Sequence, residues 1–243
     1  MDFDNPAYRL LTLLEEGKRL DQNLNCRQAW SKLLNVRPES PELFVRIGKV
    51  MELPSLTVSA IRFTYPDEPD TWSHWVSQVQ AGFNGQVLNQ TWSTFINMID
   101  HHSINYLKIH SRLLQVKSKL KPLDEDVLNG AKTGLTEVLD LLLASEDIDK
   151  EIRVALSRNI RKLINAIEEY KLTGSAGIFD SIEVLFGHAY FDPKYAQVIK
   201  ESTLGEKVAQ IVGVLADSMT IALGLPQATE SAKALLAYVE AAT

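Results

Sequence analysis

One cysteine, Cys26, stands alone among 243 residues. A lone thiol forms no internal disulfide and lacks a second thiolate for a metal site, so its expected role is that of a small buried apolar side chain. Long apolar runs are missing as well. No window approaches the roughly 18 uncharged apolar residues of a membrane span, and the most apolar stretch, residues 208–225, contains Asp217 and follows Glu206 and Lys207. The first residues, from Met1 to Pro6, lack the basic-then-apolar order of a signal peptide, so the expectation is a cytoplasmic protein with no membrane partner. Positive charge is in deficit: 25 Lys and Arg against 31 Asp and Glu leave a net charge of −6, which argues against a general nucleic-acid binder. There is no Gly-x-Ser-x-Gly elbow, no phosphate loop and no repeat of fixed period; Gly174-Ser175-Ala176-Gly177 reads as a connection between helices. The pattern implies no cofactor and no metal.

What remains is ordinary for a globular chain, with 45% hydrophobic and 23% charged residues. Asn5 followed by Pro6 opens a helix that Gly17 closes, and further helices are expected over 26–34 and 42–53. Pro54 is expected to end the third of these, and the run 56–65 fits neither helical nor strand period cleanly, with helix preferred. After Pro66-Asp67-Glu68-Pro69, Asp70 is the expected cap of a helix carrying Trp72, Trp75, Val76, Val79 and Phe83.

The dominant pattern lies in residues 88–120. Leu88, Trp92, Phe95, Ile99, His102, Tyr106, Ile109, Leu113, Val116 and Leu120 alternate steps of four and three, which predicts one helix packed lengthwise. Pro122 ends it, and two more striped segments follow: Leu128, Ala131, Leu135, Val138 and Leu142, then Ile152, Leu156, Ile160, Leu163, Ile167 and Tyr170. The acids Glu146, Asp147 and Asp149 between them read as a helix cap. The predicted fold is all-α, an elongated antiparallel three-helix bundle over about residues 86–172 with shorter helices on either side. The expected regions are 1–66, 70–174 and 176–243, the last with helices over 178–187, 195–201, 204–223 and 229–241.

Two features point to a binding surface. Residues 71–99 hold three of the four tryptophans and not one Asp, Glu, Lys or Arg. Such composition marks either an enclosed core or an interface, and Trp72, Trp75, Phe83 and Trp92 are the candidate apolar anchors for a protein partner or a second copy. The other feature is clustered positive charge: Lys108, Arg112, Lys117, Lys119 and Lys121 along the expected long helix, then Arg158, Arg161 and Lys162. Like charges four residues apart cost helix stability unless an anion faces them, so Lys108, Arg112, Arg158 and Arg161 are the candidates for charge complementarity with an acidic partner. Catalytic candidates are weaker: His101, His102 and Cys26. His102 and His110 stand eight residues apart, about 12 Å along a helix, too far to share a metal, and His102 is expected to fix register or bond across the bundle.

The stretch from Glu151-Ile152-Arg153 through Ile160–Gly174 and on to Gly187, within residues 146–187, resembles a helical unit of uncharacterised bacterial proteins from mobile or defence-related gene neighbourhoods. The resemblance implies a bacterial cytosolic protein acting beside a toxin or defence effector, and it carries no catalytic residues. The leading expectation is therefore a non-enzymatic protein that works by protein–protein contact, as a regulator, inhibitor or structural subunit. The alternatives are a membrane-active protein that unpacks residues 135–144 and 208–225, and an enzyme with a histidine-based site.

Overall fold

The computed structural model describes residues 3–67, 69–118 and 121–223, except the side chain of Leu223. The helix expected over 229–241, and Lys119 and Leu120 of the long stripe, lie outside the described residues. Among the described residues the chain is all-α, with no strand and one isolated antiparallel bridge between Asn25 and Thr91. It divides into two compact units, Met1–Leu120 and Lys121–Thr243. The boundaries expected near residues 66–70 and 174–176 each fall inside a unit.

Unit 1 contains α1 (Pro6–Arg19), α2 (Cys26–Leu34), α3 (Glu42–Thr64), α4 (Ser73–Gly85), the single turn α5 (Ser93–Ile96) and α6 (His101–Ser118). Asn5 caps α1 by accepting the Tyr8 N–H at 2.9 Å, and its amide donates to the Ser111 carbonyl at 3.1 Å, fastening the start of α1 to α6. Helix α3 runs straight through Pro54 instead of ending there. Leu53, Pro54, Thr57 and Ile61 are all buried on it, so continuous packing outweighs the lost backbone hydrogen bond. Asp70 does not cap α4; Trp72 occupies the cap position without a side-chain bond, and the Asp70 carboxylate faces Arg62 at 3.7 Å.

The helix expected over 88–120 is not continuous. Residues 87–90 form a turn and Thr91 bridges Asn25 just before α2, with Cys26 N–H on the Gln90 carbonyl at 2.8 Å and Trp92 N–H on that of Leu24 at 2.6 Å. Asp100 then starts α6 anew by accepting the Ser103 N–H at 2.7 Å. The buried face of α6 is Ser103, Ile104, Leu107, His110, Ser111 and Leu114, whereas His102, Tyr106, Ile109 and Val116 of the expected stripe face solvent. The inward face is turned by about one residue, roughly 100°, with His110, which bonds Trp75 and Thr71 inside, buried in place of Ile109, and the small Ser103 and Ser111 packed beside it. Helix α6 thus belongs to unit 1 and the two helices expected to pack with it belong to unit 2, and neither unit by itself is the expected three-helix bundle.

Unit 2 contains α7 (Glu125–Ala144), α8 (Lys150–Glu168), the turn α9 (Tyr170–Thr173), α10 (Ser175–Phe191), α11 (Pro193–Glu201) and α12 (Thr203–Leu223). Asp124 and Asp149 cap α7 and α8 by accepting amides two residues on, each at 2.8 Å. The two stripes expected here are buried: Leu128, Ala131, Leu135, Val138 and Leu142 on α7, and Ile152, Leu156, Ile160, Leu163 and Ile167 on α8. Helix α7 packs between α8 and α12, and α8 between α7 and α10, so one core runs through the unit. Full burial of each Leu or Ile there is worth about 1.5–3 kcal/mol. Tyr195 of α11 sits wholly inside, accepting from the Asn159 amide at 3.2 Å; burial pushes its phenol up to about 12 against that bond. At the head of α12, a Cβ on Gly205 would lie 2.1 Å from the Ile199 carbonyl oxygen, so only glycine fits the turn from α11.

Candidate functional site

The charge-free stretch 71–99 turns its aromatic side chains into the core while its polar residues face solvent. Trp72, Trp75 and Trp92 are buried and Phe83 is half-buried. The indoles point inward to specific acceptors: Trp92 Nε1 donates to the Gly17 carbonyl at 2.8 Å and Trp30 Nε1 to Gln86 Oε1 at 2.8 Å. Around them Trp30, Phe83, Trp92 and Phe95 form a cluster with ring centroids 4.9–5.8 Å apart, a spacing at which aromatic pairs attract beyond their burial. These side chains hold unit 1 together, and a partner cannot reach the tryptophans as anchors in this fold.

The buried imidazole is His110, not His102. Trp75 Nε1 donates to His110 Nδ1 at 3.1 Å, and His110 Nε2 lies 3.1 Å from Thr71 Oγ1. An indole N–H only donates, so Nδ1 is the acceptor and the neutral ring carries its proton on Nε2. His101 and His102 are exposed on the first turn of α6. Beside them His74 Nε2 meets Asp100 Oδ2 at 2.8 Å. The Ser103 amide and, behind it, His74 hold the Asp100 carboxyl down to about 2. Lys18 donates to the neighbouring Ile99 carbonyl; burial lowers its ammonium below the usual lysine range while Asp100 opposes the shift. Cys26 is fully buried, its sulfur 3.4 Å from the Thr91 carbonyl oxygen and 3.5 Å from Thr94 Oγ1, and burial pushes its thiol up. A raised thiol holds less of the reactive thiolate, so Cys26 has the environment of a packing residue and not of a nucleophile. Among the described residues no three His, Cys, Asp or Glu side chains gather closely enough to hold a metal ion.

Of the cations singled out, Lys108 is engaged, pairing with Glu15 at 2.7 Å, and Arg112 is exposed on α6. The other two belong to a distinct surface. On the outer side of α8, Arg153, Val154, Ser157, Arg158, Arg161, Lys162 and Asn165 join Leu143 of α7 in lining an open groove of about 470 Å³. From Ile152 to Ile167 the helix carries four cations and no acid. Its acids Glu151 and Glu168 lie at the two ends, and Glu168 is taken by Lys132 at 2.6 Å. Arg153 donates to the Ser145 carbonyl at the end of α7, while Arg158, Arg161 and Lys162 pair with no acid among the described residues. Leu143 and Val154 are 49% and 50% exposed beside them. A second groove, about 190 Å³ between α7 and α12, is lined by one acid, Glu137, and one base, Lys207, and has no such imbalance.

The described residues thus form two compact all-helical units, the second bearing a cationic groove with apolar members. No family model, curated protein or solved structure matches the chain. Sequence reasoning found Arg158, Arg161 and Lys162 from their spacing. It missed Arg153, Ser157 and Asn165, which steps of four from Arg161, one forward and two back, would have added.

Proposed function

We propose that this is a non-enzymatic protein that acts by contact with a protein partner of acidic surface, as its regulator, its inhibitor or a structural subunit beside it, and that the contact is made by the α8 groove. The observation that carries the reading is the set of Arg158, Arg161 and Lys162, without an ion-pair partner among the described residues, next to exposed Leu143 and Val154. Crowded like charges destabilise a helix and become favourable only when a counter-charge arrives. The apolar pair gives that counter-charge a surface to bury against, the usual composition of an interface with a polar rim. The resemblance of residues 146–187 to a bacterial helical unit, which covers all of the groove except Leu143, supports seeking the partner among toxins or defence effectors.

The membrane-active alternative has less support: no described helix is long and apolar enough to cross a membrane, and Leu135, Val138, Leu142, Val208, Val212 and Leu215 pack in one core. The test is a fluorescence titration of the full chain with a labelled peptide of Glu and Leu residues, set beside its Gln-for-Glu counterpart. The Glu peptide binds, more weakly as salt rises, and the R158E/R161E variant loses roughly tenfold or more of the affinity. Equal binding of the Gln peptide, or an unchanged affinity in the variant, overturns the reading.

A further inference from the structure

The residues of the groove fall into two rows along α8, each stepping by four. Arg153, Ser157, Arg161 and Asn165 form one row and Val154, Arg158 and Lys162 the other. Side chains four apart on a helix have Cβ atoms about 5–6 Å from one another, so Ser157 is bracketed one turn on either side by a guanidinium-bearing residue. Ser157 is 5% exposed, and its Oγ, buried with it at the wall of the groove, has no hydrogen-bond partner among the described residues. A buried hydroxyl in this state is uncommon and calls for an explanation. Thr57, Ser103 and Ser111 share it, but they are enclosed in unit 1, whereas Ser157 lines an open groove among cations.

The donors favour one kind of anion. Each guanidinium presents a planar fork, Ser157 adds a hydroxyl and Asn165 an amide, so three or more acceptor oxygens are needed to engage them. A carboxylate has two oxygens in one plane and a single charge. A phosphate monoester has three terminal oxygens and about −1.5 to −2 charge at neutral pH, so it engages more of these donors and offsets more of the three uncompensated positive charges than a carboxylate does. Arginine forks are the group of choice for that geometry. The groove is far larger than one ion, its apolar members are Leu143 and Val154, and among the described residues no aromatic side chain lines it for bases to stack on. The chain as a whole is also acidic, at −6.

We infer that the groove is a phosphate-monoester site that receives a phosphoserine or phosphothreonine on a segment of the protein partner. Arg158 and Arg161 engage the phosphate oxygens, the Ser157 hydroxyl donates to one of them, and Leu143 and Val154 meet apolar side chains flanking the modified residue. The inference rests on the preceding reading that an acidic protein partner docks here, and it names the acid.

The experiment measures binding to the full chain of three labelled peptides that differ at one central position, phosphoserine, Glu or Ser, each flanked by leucines, together with a single-stranded oligothymidylate. The phosphoserine peptide binds about tenfold more tightly than the Glu peptide and the Ser peptide does not bind measurably. R161Q abolishes the preference for phosphate, S157A reduces it by roughly three- to tenfold, and K32Q, on α2 of unit 1, leaves it intact. Circular dichroism of each variant confirms that the helices are retained. Equal affinity for phosphoserine and Glu overturns the phosphate assignment and leaves the acidic-partner reading standing. Tighter binding of the oligothymidylate overturns it in favour of a nucleic-acid surface, and failure of every probe to bind overturns both readings.

Discussion

Trp75 offers one polar atom and His110 accepts it, so the two rings are coupled at the centre of unit 1, and replacing His110 leaves an indole N–H inside without its acceptor. H110F therefore costs about 1–3 kcal/mol in a urea titration, the desolvation penalty of an unmet buried donor. H102A, at an exposed position, changes stability by less than about 0.5 kcal/mol. Asp100 supplies the pH-dependent counterpart. Its carboxyl titrates at about 2 in the folded chain because the Ser103 amide and His74 favour the ionised form, against about 3.9 in an unfolded one. A group with a lowered folded value contributes stability that is complete above the unfolded value and vanishes as pH falls through the folded one. D100N keeps the cap, since asparagine also caps well, and removes the titration; its stability then falls less steeply than that of the natural chain between about pH 4 and about 2. Matched urea titrations across that interval check this, and parallel curves contradict it.

Helix α8 carries a conflict between stability and binding. Arg158 and Lys162 repel at four-residue spacing, and K162E turns the repulsion into an attraction worth about 0.5 kcal/mol in total. Thermal melting of K162E is thus expected at a slightly higher temperature than that of the natural chain, while affinity for the acidic peptides falls. A variant that loses both stability and binding would indicate a structural role for Lys162. The inner face of the same helix was fully legible: Ile152, Leu156, Ile160, Leu163 and Ile167 announce themselves at steps of three and four, and all are buried. Residues 88–120 misled for a definable reason. A stripe drawn through apolar residues assumes that burial follows hydropathy, but Ser103, His110 and Ser111 lie inside α6, and the carbonyl of Ser111 and ring of His110 receive bonds from Asn5 and Trp75, far away in sequence. The turn at residues 87–90 and the bridge from Thr91 to Asn25 are likewise decided by a distant partner, the start of α2. The groove was half legible, because charge spacing marks Arg158, Arg161 and Lys162, whereas the partnerless state of the Ser157 hydroxyl exists only in three dimensions.

At the scale of the whole chain, each unit buries a core of its own. All four tryptophans belong to unit 1, so fluorescence excited selectively at tryptophan reports that unit, while far-ultraviolet circular dichroism sums the helices of both. Separate cores need not melt together, and the two signals are expected to give displaced denaturation curves, the fluorescence transition being the narrower. Superimposed curves would show that the units unfold as one cooperative body. Cys26 belongs to the same half and has no exposed surface. A chromogenic disulfide reagent added to the native chain therefore has nothing to react with until unit 1 opens, and the rate at which colour develops becomes a stopwatch for that opening. The chain thus carries a built-in clock beside its built-in lamp, both reading one half of the molecule and leaving the half with the cationic groove silent, ready to receive a single engineered label without background.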